Sequence, residues 1–167
     1  DRPIIDLFGN YVVHPNKLLG YMKDLFKKNN LLSKDIYDEN QLKLTPSGIE
    51  YKHIKAKYII YCTGSSLSQS KFFKSLPFRN VRGETLSCLF HTWTLKSIFQ
   101  SDYAIVPQEI NGDVSYKIGS TYCRDLSLLL TRTGYNDLTQ FVHSITTHVP
   151  VITHYHSAIR CALPDNK

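Results

Sequence analysis

The pattern of apolar and polar positions predicts two amphipathic helices. The first begins at His14-Pro15, since proline is favoured at the first position of a helix, and is expected to end at Asn29-Asn30. Its apolar positions recur at helical spacing: Leu18, Tyr21, Met22, Leu25 and Phe26. The second helix is expected to stop at Pro150, because proline cannot continue a helix. Its apolar face comprises Leu138, Phe141, Val142, Ile145 and Val149.

Strand-like segments fill the rest of the chain. Tyr58 to Cys62 is the longest apolar run and predicts a buried strand that ends at Thr63-Gly64. The Asn111-Gly112-Asp113 step is a strong hairpin signal. The other predicted strands are Asn10 to Val13, Gln41 to Leu44, Ile49 to Ile54, Val81 to Phe90, Tyr103 to Pro107, Ser115 to Tyr122 and Val151 to Leu163.

This order of elements predicts an α+β fold. Hairpin signals make the sheet mixed and mostly antiparallel, with the two amphipathic helices on one side. The length of 167 residues suits a single domain over residues 1–167.

Charge and composition narrow the function only slightly. The net charge of +6 is scattered along the chain, so a solvated basic surface is favoured over a nucleic-acid site. No apolar run approaches the roughly 20 residues of a membrane-spanning helix. No secretory signal follows Asp1, and the natural start of the protein is expected to lie upstream.

Cysteines and histidines form no metal motif. The four cysteines lie far apart, and buried free thiols in a reducing compartment are the default interpretation: Cys62, Cys88, Cys123 and Cys161. His154 and His156 lie two apart and therefore face one side of a strand. Without a third ligand, an ordinary surface or interface pair is favoured over a metal site. No metal is predicted.

Arg160 and the Thr63-Gly64 turn are candidate functional features by their residue chemistry alone. The chain has no glycine-rich phosphate loop, and no serine or cysteine stands in a nucleophile motif. Arg160 lies among small and apolar neighbours, where an internal salt bridge is favoured over a substrate carboxylate. The strand-to-glycine turn at Thr63-Gly64 permits close approach of a ligand or simply ends a strand.

Six segments in order resemble the D-amino-acid oxidase-like family of FAD-dependent oxidoreductases. One of them, Leu76 to Glu84, is similar to the family's P-x-x-x-x-R-G-Q/E strand, and another places Arg160 and Asp165 where the family has an R-P/A-x-x-x-D segment. The others are Gly9 to Pro15, Ile59 to Gly64, Tyr103 to Pro107 and Tyr116 to Tyr122. Together they are specific for the superfamily and not for one substrate. The family includes glycine oxidases, D-amino-acid dehydrogenases and the oxidase part of a tRNA-modifying enzyme.

The resemblance implies a substrate-binding role. It implies that Arg160 binds a substrate carboxylate and that Tyr103 and Tyr122 line the substrate cavity. The cofactor-binding positions implied for FAD are Thr63, Gly64, Arg82, Gly83 and Asp165. The reaction implied is hydride transfer from an amine or amino acid to flavin in a cytoplasmic enzyme, peripheral to the membrane if it is a dehydrogenase.

Departures from the family pattern limit this expectation. The family's N-terminal G-x-G-x-x-G segment and its C-terminal flavin-contacting segment are absent, and Cys161-Ala162 replaces the Arg-Pro step of glycine oxidases. The chain is therefore expected to be a fragment that is not catalytic alone, does not retain FAD and self-associates through its FAD-facing surface. The rival interpretation is a non-catalytic binding or interaction module with the same fold.

Overall fold

The computed structural model describes residues 12–110 and 112–164. The chain forms two compact units, Asp1–Leu42 and Lys43–Lys167, and the single substrate-binding domain expected from the sequence stays a prediction.

The first unit contains helix α1, Pro15–Lys28. Pro15 stands in the first turn and Asn29 caps the end, so the predicted boundaries are confirmed. The helix is amphipathic, and none of its residues is buried. A short 3-10 helix follows at Glu39–Gln41. Of the strand predicted at Asn10 to Val13, the first two residues lie outside the described residues, and Val12 and Val13 are not in a strand.

A small sheet precedes the main one. Its strands are β1 (Leu42–Thr45), β2 (Gly48–Tyr51) and β3 (Ile54–Ala56), in that spatial order. The strands predicted at Gln41 to Leu44 and Ile49 to Ile54 correspond to β1 and β2, which are neighbours in this sheet. A second turn at Lys52 interrupts the longer predicted strand, and Ile54 begins β3. Gly48 has φ of +144°, and a Cβ there would overlap the Ala56 carbonyl oxygen, so glycine is required.

The buried strand predicted at Tyr58 to Cys62 is wrong. Tyr58 is 83% exposed and Ile60 is 84% exposed, and the segment has no strand conformation. A strand needs a neighbour for its backbone groups, and no strand in the described part of the chain pairs with this run. Apolar composition alone therefore did not determine its conformation. A 3-10 helix follows at Gly64–Gln69.

The main sheet has five strands and is antiparallel throughout. The strands are β4 (Val81–Leu89), β5 (Phe99–Gln100), β6 (Ala104–Ile110), β7 (Asp113–Gly119) and β8 (Val151–Arg160). Their spatial order is β5-β6-β7-β4-β8. Ile110 pairs with Asp113, which confirms the predicted hairpin and leaves a two-residue turn.

Helix α2 spans Arg132–Ile145 and ends before Pro150, contrary to prediction. Thr146 already has an extended conformation, although its N–H still bonds the Val142 carbonyl oxygen. Val149, assigned to the apolar face of the helix, is 74% exposed beyond its end. An apolar residue at helical spacing cannot by itself show whether the helix continues.

One face of the main sheet packs against α2 and forms the core. Alternate residues of β4 are buried there, beginning with Arg82 and Glu84. The apolar core residues are Leu86, Cys88, Ile105, Tyr116, Ile118, Leu138, Phe141 and Val142. The predicted α+β, mostly antiparallel architecture is confirmed. In the described part, neither helix has the length and apolar character needed to cross a bilayer.

The opposite side of the sheet is called the outer face here. Because successive residues of a strand point to opposite sides, its members follow from the strand register. They include Val81, Gly83, Thr85 and Ser87 of β4, Asp113, Ser115, Lys117 and Gly119 of β7, and His154, His156, Ala158 and Arg160 of β8.

Candidate functional site

Arg160 and Tyr122 meet on the outer face. Arg160 ends β8 and pairs with Val81 of β4. Tyr122 follows β7 and is brought beside β4 by the bridge between Arg82 and Cys123. The guanidinium carbon of Arg160 lies 5.8 Å from the centroid of the Tyr122 ring, within the range of a cation–π contact. The structure therefore brings together two of the three predicted substrate-binding residues.

Gly83 of β4 packs against the segment that carries Tyr122. It pairs with Ala158, the outer-face neighbour of Arg160 on β8. A Cβ on Gly83 would lie 3.2 Å from both the Cβ and Oγ of Ser120 and 3.2 Å from the Thr121 carbonyl oxygen. The absent side chain thus lets the segment after β7 pack closely across β4, which positions Tyr122. The predicted contact of Gly83 with flavin stays a prediction.

Arg160 is exposed, and the described residues give it no ion-pair partner. The internal salt bridge favoured from its neighbours alone is therefore not found among residues 12–110 and 112–164. Stacking against a ring leaves the in-plane N–H donors of a guanidinium available for a carboxylate. Asp165, the predicted acidic cofactor position, lies outside the described residues.

Arg82 lies on the other side of the sheet, in a buried ionic network. Arg82 and Glu84 are 2% and 1% exposed, and Nη2 of Arg82 lies 3.3 Å from Oε1 of Glu84. Nη1 of Arg82 is 3.1 Å from Oδ2 of Asp125 and donates to the Ser127 carbonyl oxygen at 2.8 Å. The guanidinium thereby fixes the loop between β7 and α2. The predicted flavin contact of Arg82 stays a prediction.

Glu84 connects this network to α2. The Thr131 hydroxyl lies 3.1 and 3.0 Å from the two carboxylate oxygens and also accepts from the Gly134 N–H, as the N-cap of α2. The Tyr155 hydroxyl bonds the same carboxylate and lies 2.8 Å from the Thr131 carbonyl oxygen. Burial, followed by the hydrogen bond and charge of Glu84, raises the pKa of Tyr155 to about 12. The negative charge of the Glu84 carboxylate is stabilised by the N-terminus of α2.

Asp125 holds the exposed end of the network. Hydrogen bonds from the backbone and side chain of Ser127, followed by the charge and hydrogen bond of Arg82, lower the pKa of Asp125. The sequence pointed to Arg82 but not to Glu84 as its ion-pair partner. Nor did it reveal Thr131 and Tyr155 as the hydrogen-bond partners of Glu84. Arg82 and Glu84 lie on the same strand face as the apolar Leu86. Two opposite charges on an apolar face indicate a buried ion pair.

Tyr103 lies on the helix side of the sheet. Its ring contacts that of Phe141 in α2 edge-on, with centroids 5.3 Å apart. It lines a cleft of about 330 Å³ together with Asp102 and Asp137. Burial, followed by the charges of Asp137 and Asp102, raises the pKa of Tyr103. The structure does not bring this predicted substrate residue to Arg160 and Tyr122.

Thr63 and Gly64 lie at the start of the 3-10 helix Gly64–Gln69, and Thr63 is its N-cap residue. Gly64 has φ of +60°, which favours glycine, but nothing lies within 4 Å of where its side chain would begin. The turn therefore forms no cradle that only a glycine backbone could enclose. The predicted contacts of Thr63 and Gly64 with FAD stay a prediction.

The predicted histidine pair is confirmed as a feature of one strand face. The rings of His154 and His156 stack with centroids 5.6 Å apart and planes inclined by 10°. No third histidine, cysteine or carboxylate in the described ranges completes a metal-binding group.

The cysteines differ in their surroundings. Cys88 is buried in the core, and burial raises the pKa of its thiol to about 12, which makes it unreactive near neutral pH. Cys62 is exposed, contrary to prediction, because its segment forms no buried strand. Cys123 and Cys161 are half-buried, and all four thiols are free.

Comparison with known proteins gives a likeness of fold. No family model matches the sequence. The glycine oxidase from Geobacillus kaustophilus superposes with a TM-score of 0.52 and 19% identity, covering 75% of this chain and 34% of that enzyme. The glycine oxidase from Bacillus cereus gives 0.50 and 17%, covering 76% of this chain and 36% of that enzyme. This chain thus spans about a third of the length of these enzymes, and about three quarters of it shares the fold of that part.

Proposed function

We propose that this chain is the substrate-binding portion of an FAD-dependent oxidoreductase that oxidises an amine or amino acid. The observation that carries the proposal is the exposed guanidinium of Arg160 beside the ring of Tyr122, without an ion-pair partner among the described residues. The likeness to part of two glycine oxidases supports it at the level of the fold.

The geometry suits an amino-acid carboxylate. A guanidinium presents parallel N–H donors that match the two oxygens of a carboxylate, which fixes the direction of the ligand as well as its position. The ring of Tyr122 limits the orientations that Arg160 can adopt, and the close packing of Gly83 against Ser120 and Thr121 positions the segment that carries this ring. Such positioning lowers the entropic cost of bringing a reacting carbon to its acceptor. An FAD held by other segments of the intact protein would supply the oxidation chemistry.

The proposal is tested by NMR titration of this chain with sarcosine and, separately, with sarcosinamide, in which an uncharged amide group replaces the carboxylate. We expect sarcosine to bind weakly, with a Kd on the order of 1 mM. Arg160→Gln should weaken binding at least about tenfold, since it removes a charged hydrogen-bond donor. Arg160→Lys should lose part of the affinity, because an ammonium cannot bind in a bidentate manner.

Arg132→Gln is the matched control, since this exposed arginine lies in the first turn of α2 and not on the outer face. It should leave sarcosine binding unchanged. Equal binding of sarcosinamide, or unaltered binding of sarcosine to the Arg160→Gln variant, would contradict the proposal. The chain would then be better described as a non-catalytic binding module with the same fold.

A further inference from the structure

Basic side chains continue along the outer face beyond Arg160. Arg160, His156 and His154 all point to this side of β8, since they are separated by even numbers of residues. Lys117 of β7 points to the same side. All four are exposed, and the proposed carboxylate site uses only Arg160.

The strand register arranges the remaining three around two hydroxyl groups. Ser87 pairs with His154 on one side and with Lys117 on the other, so these residues form one row across the sheet. Thr85 pairs with His156 and Gly119 in the adjacent row. Neighbouring strands lie about 4.8 Å apart, so the hydroxyl groups stand between the basic groups.

The histidines are already arranged as a pair. Their rings are nearly parallel, at 10°, with centroids 5.6 Å apart. Two imidazoles without a third ligand make a poor metal site. Two adjacent N–H donors beside an ammonium and hydroxyl groups make a good site for an anion with several acceptor oxygens.

The surrounding charge favours an anion as well. The outer-face positions of β4 and β8 carry no carboxylate, because Glu84 points to the helix side. On β7 the carboxylate is that of Asp113, four residues from Lys117 and therefore about 13 Å away along the strand. A ligand on this patch would meet donors and positive charge.

We infer that His154, His156 and Lys117, with Ser87 and Thr85 between them, form a subsite for a phosphate group. Together with the carboxylate site at Arg160, this subsite defines a substrate class, and that class rests on the proposed function. The substrate would be an amino acid whose amine substituent carries a phosphate. Arg160 lies four residues from His156 and six from His154, so it is about 13 Å and about 20 Å from them along the strand. The carboxylate and the phosphate would be separated by a distance of this order.

The subsite is tested by titrating this chain with inorganic phosphate at constant ionic strength and constant pH, while the histidine ring signals are followed by NMR. We expect saturable shifts for His154 and His156 and none for His143, an exposed histidine of α2. The double variant His154→Gln, His156→Gln should abolish saturable binding, and Lys117→Gln should weaken it at least threefold.

Arg160→Gln separates the two proposals. It should retain phosphate binding while losing sarcosine binding. Phosphate binding without sarcosine binding in the unaltered chain would refute the proposed function and leave the subsite intact. Non-saturable shifts shared with His143, or loss of phosphate binding in the Arg160→Gln variant, would refute the subsite.

The substrate class is tested with a glycine joined through its amine to a phosphate by a spacer that reaches about 13 Å. Binding at least tenfold tighter than that of sarcosine is expected, with the gain lost in the double histidine variant. No gain in affinity would refute the substrate class.

The source of the phosphate is tested with uridine monophosphate and with phosphatidylglycerol vesicles. Histidine shifts with the nucleotide support a soluble substrate, and shifts with the vesicles alone would overturn it in favour of a lipid headgroup.

Discussion

Two arginines on opposite faces of one sheet have contrasting surroundings. Arg82 is 2% exposed and contacts Glu84, Asp125 and Ser127. Arg160 is exposed and contacts the ring of Tyr122. A buried arginine needs acceptors from the protein, so Arg82 stabilises the loop before α2. An exposed arginine beside a ring keeps its donors available, so Arg160 can bind a ligand.

The closest approach in the buried network is at Gly134. We predict that Gly134→Ala destabilises the second unit by about 3 kcal/mol, because its Cβ would overlap the Glu84 carboxylate and lie 2.9 Å from the Tyr155 hydroxyl oxygen. The measurement is urea unfolding followed by circular dichroism. The control is Gly20→Ala in α1, where nothing lies within 4 Å and alanine is the better helix former. An unchanged unfolding midpoint for Gly134→Ala would show that the network is not packed as described.

Tyr155 gives the same network a pH dependence. Burial and the hydrogen bond and charge of Glu84 raise its pKa from 10.0 in the unfolded chain to about 12 in the folded one. Its contribution to stability is therefore complete below pH 10 and is lost as the pH rises through about 12. The stability difference between the unaltered chain and Tyr155→Phe should be largest at pH 8 and shrink above pH 10. Urea midpoints across this range measure it, and a constant difference would contradict the assignment.

At the level of elements, local signals gave good boundaries where a turn or cap residue was present. The Asn111-Gly112 turn fixed the β6–β7 hairpin, and Pro15 with Asn29 bounded α1. These residues act through their own backbone preferences, which do not depend on the rest of the fold.

Elements that depend on distant partners were predicted less well. Tyr58 to Cys62 has strand composition but no paired neighbour in the described part of the chain. Helix α2 stops at Ile145 although Val149 continues its apolar spacing. In both places the conformation is decided by contacts that no local pattern contains.

For the candidate site, residue chemistry alone was not enough. From its neighbours, Arg160 was interpreted as half of an internal salt bridge, and only the family resemblance paired it with Tyr122. The structure brings that pair together through the bridge between Arg82 and Cys123, which the sequence did not reveal. Tyr103 carried the same resemblance-based expectation and lies on the helix side of the sheet. Order along the chain does not determine which face of a sheet a side chain occupies.

At the scale of the whole molecule, the described residues of the outer face provide charged side chains but no backbone site for a pyrophosphate. Such a site needs several backbone N–H groups that converge at a helix N-terminus, with glycines that allow close approach. Gly64 begins only a short 3-10 helix and has open space around it.

We therefore predict that the purified chain, incubated with FAD and passed through a gel-filtration column, carries no stoichiometric flavin absorbance. The Arg160→Gln variant, run in parallel, should behave identically, because the arginine is assigned to the substrate. Stoichiometric co-elution of FAD with either protein would show that a cofactor site exists within these 167 residues and would require Thr63 and Gly64 to be re-examined as its phosphate contacts.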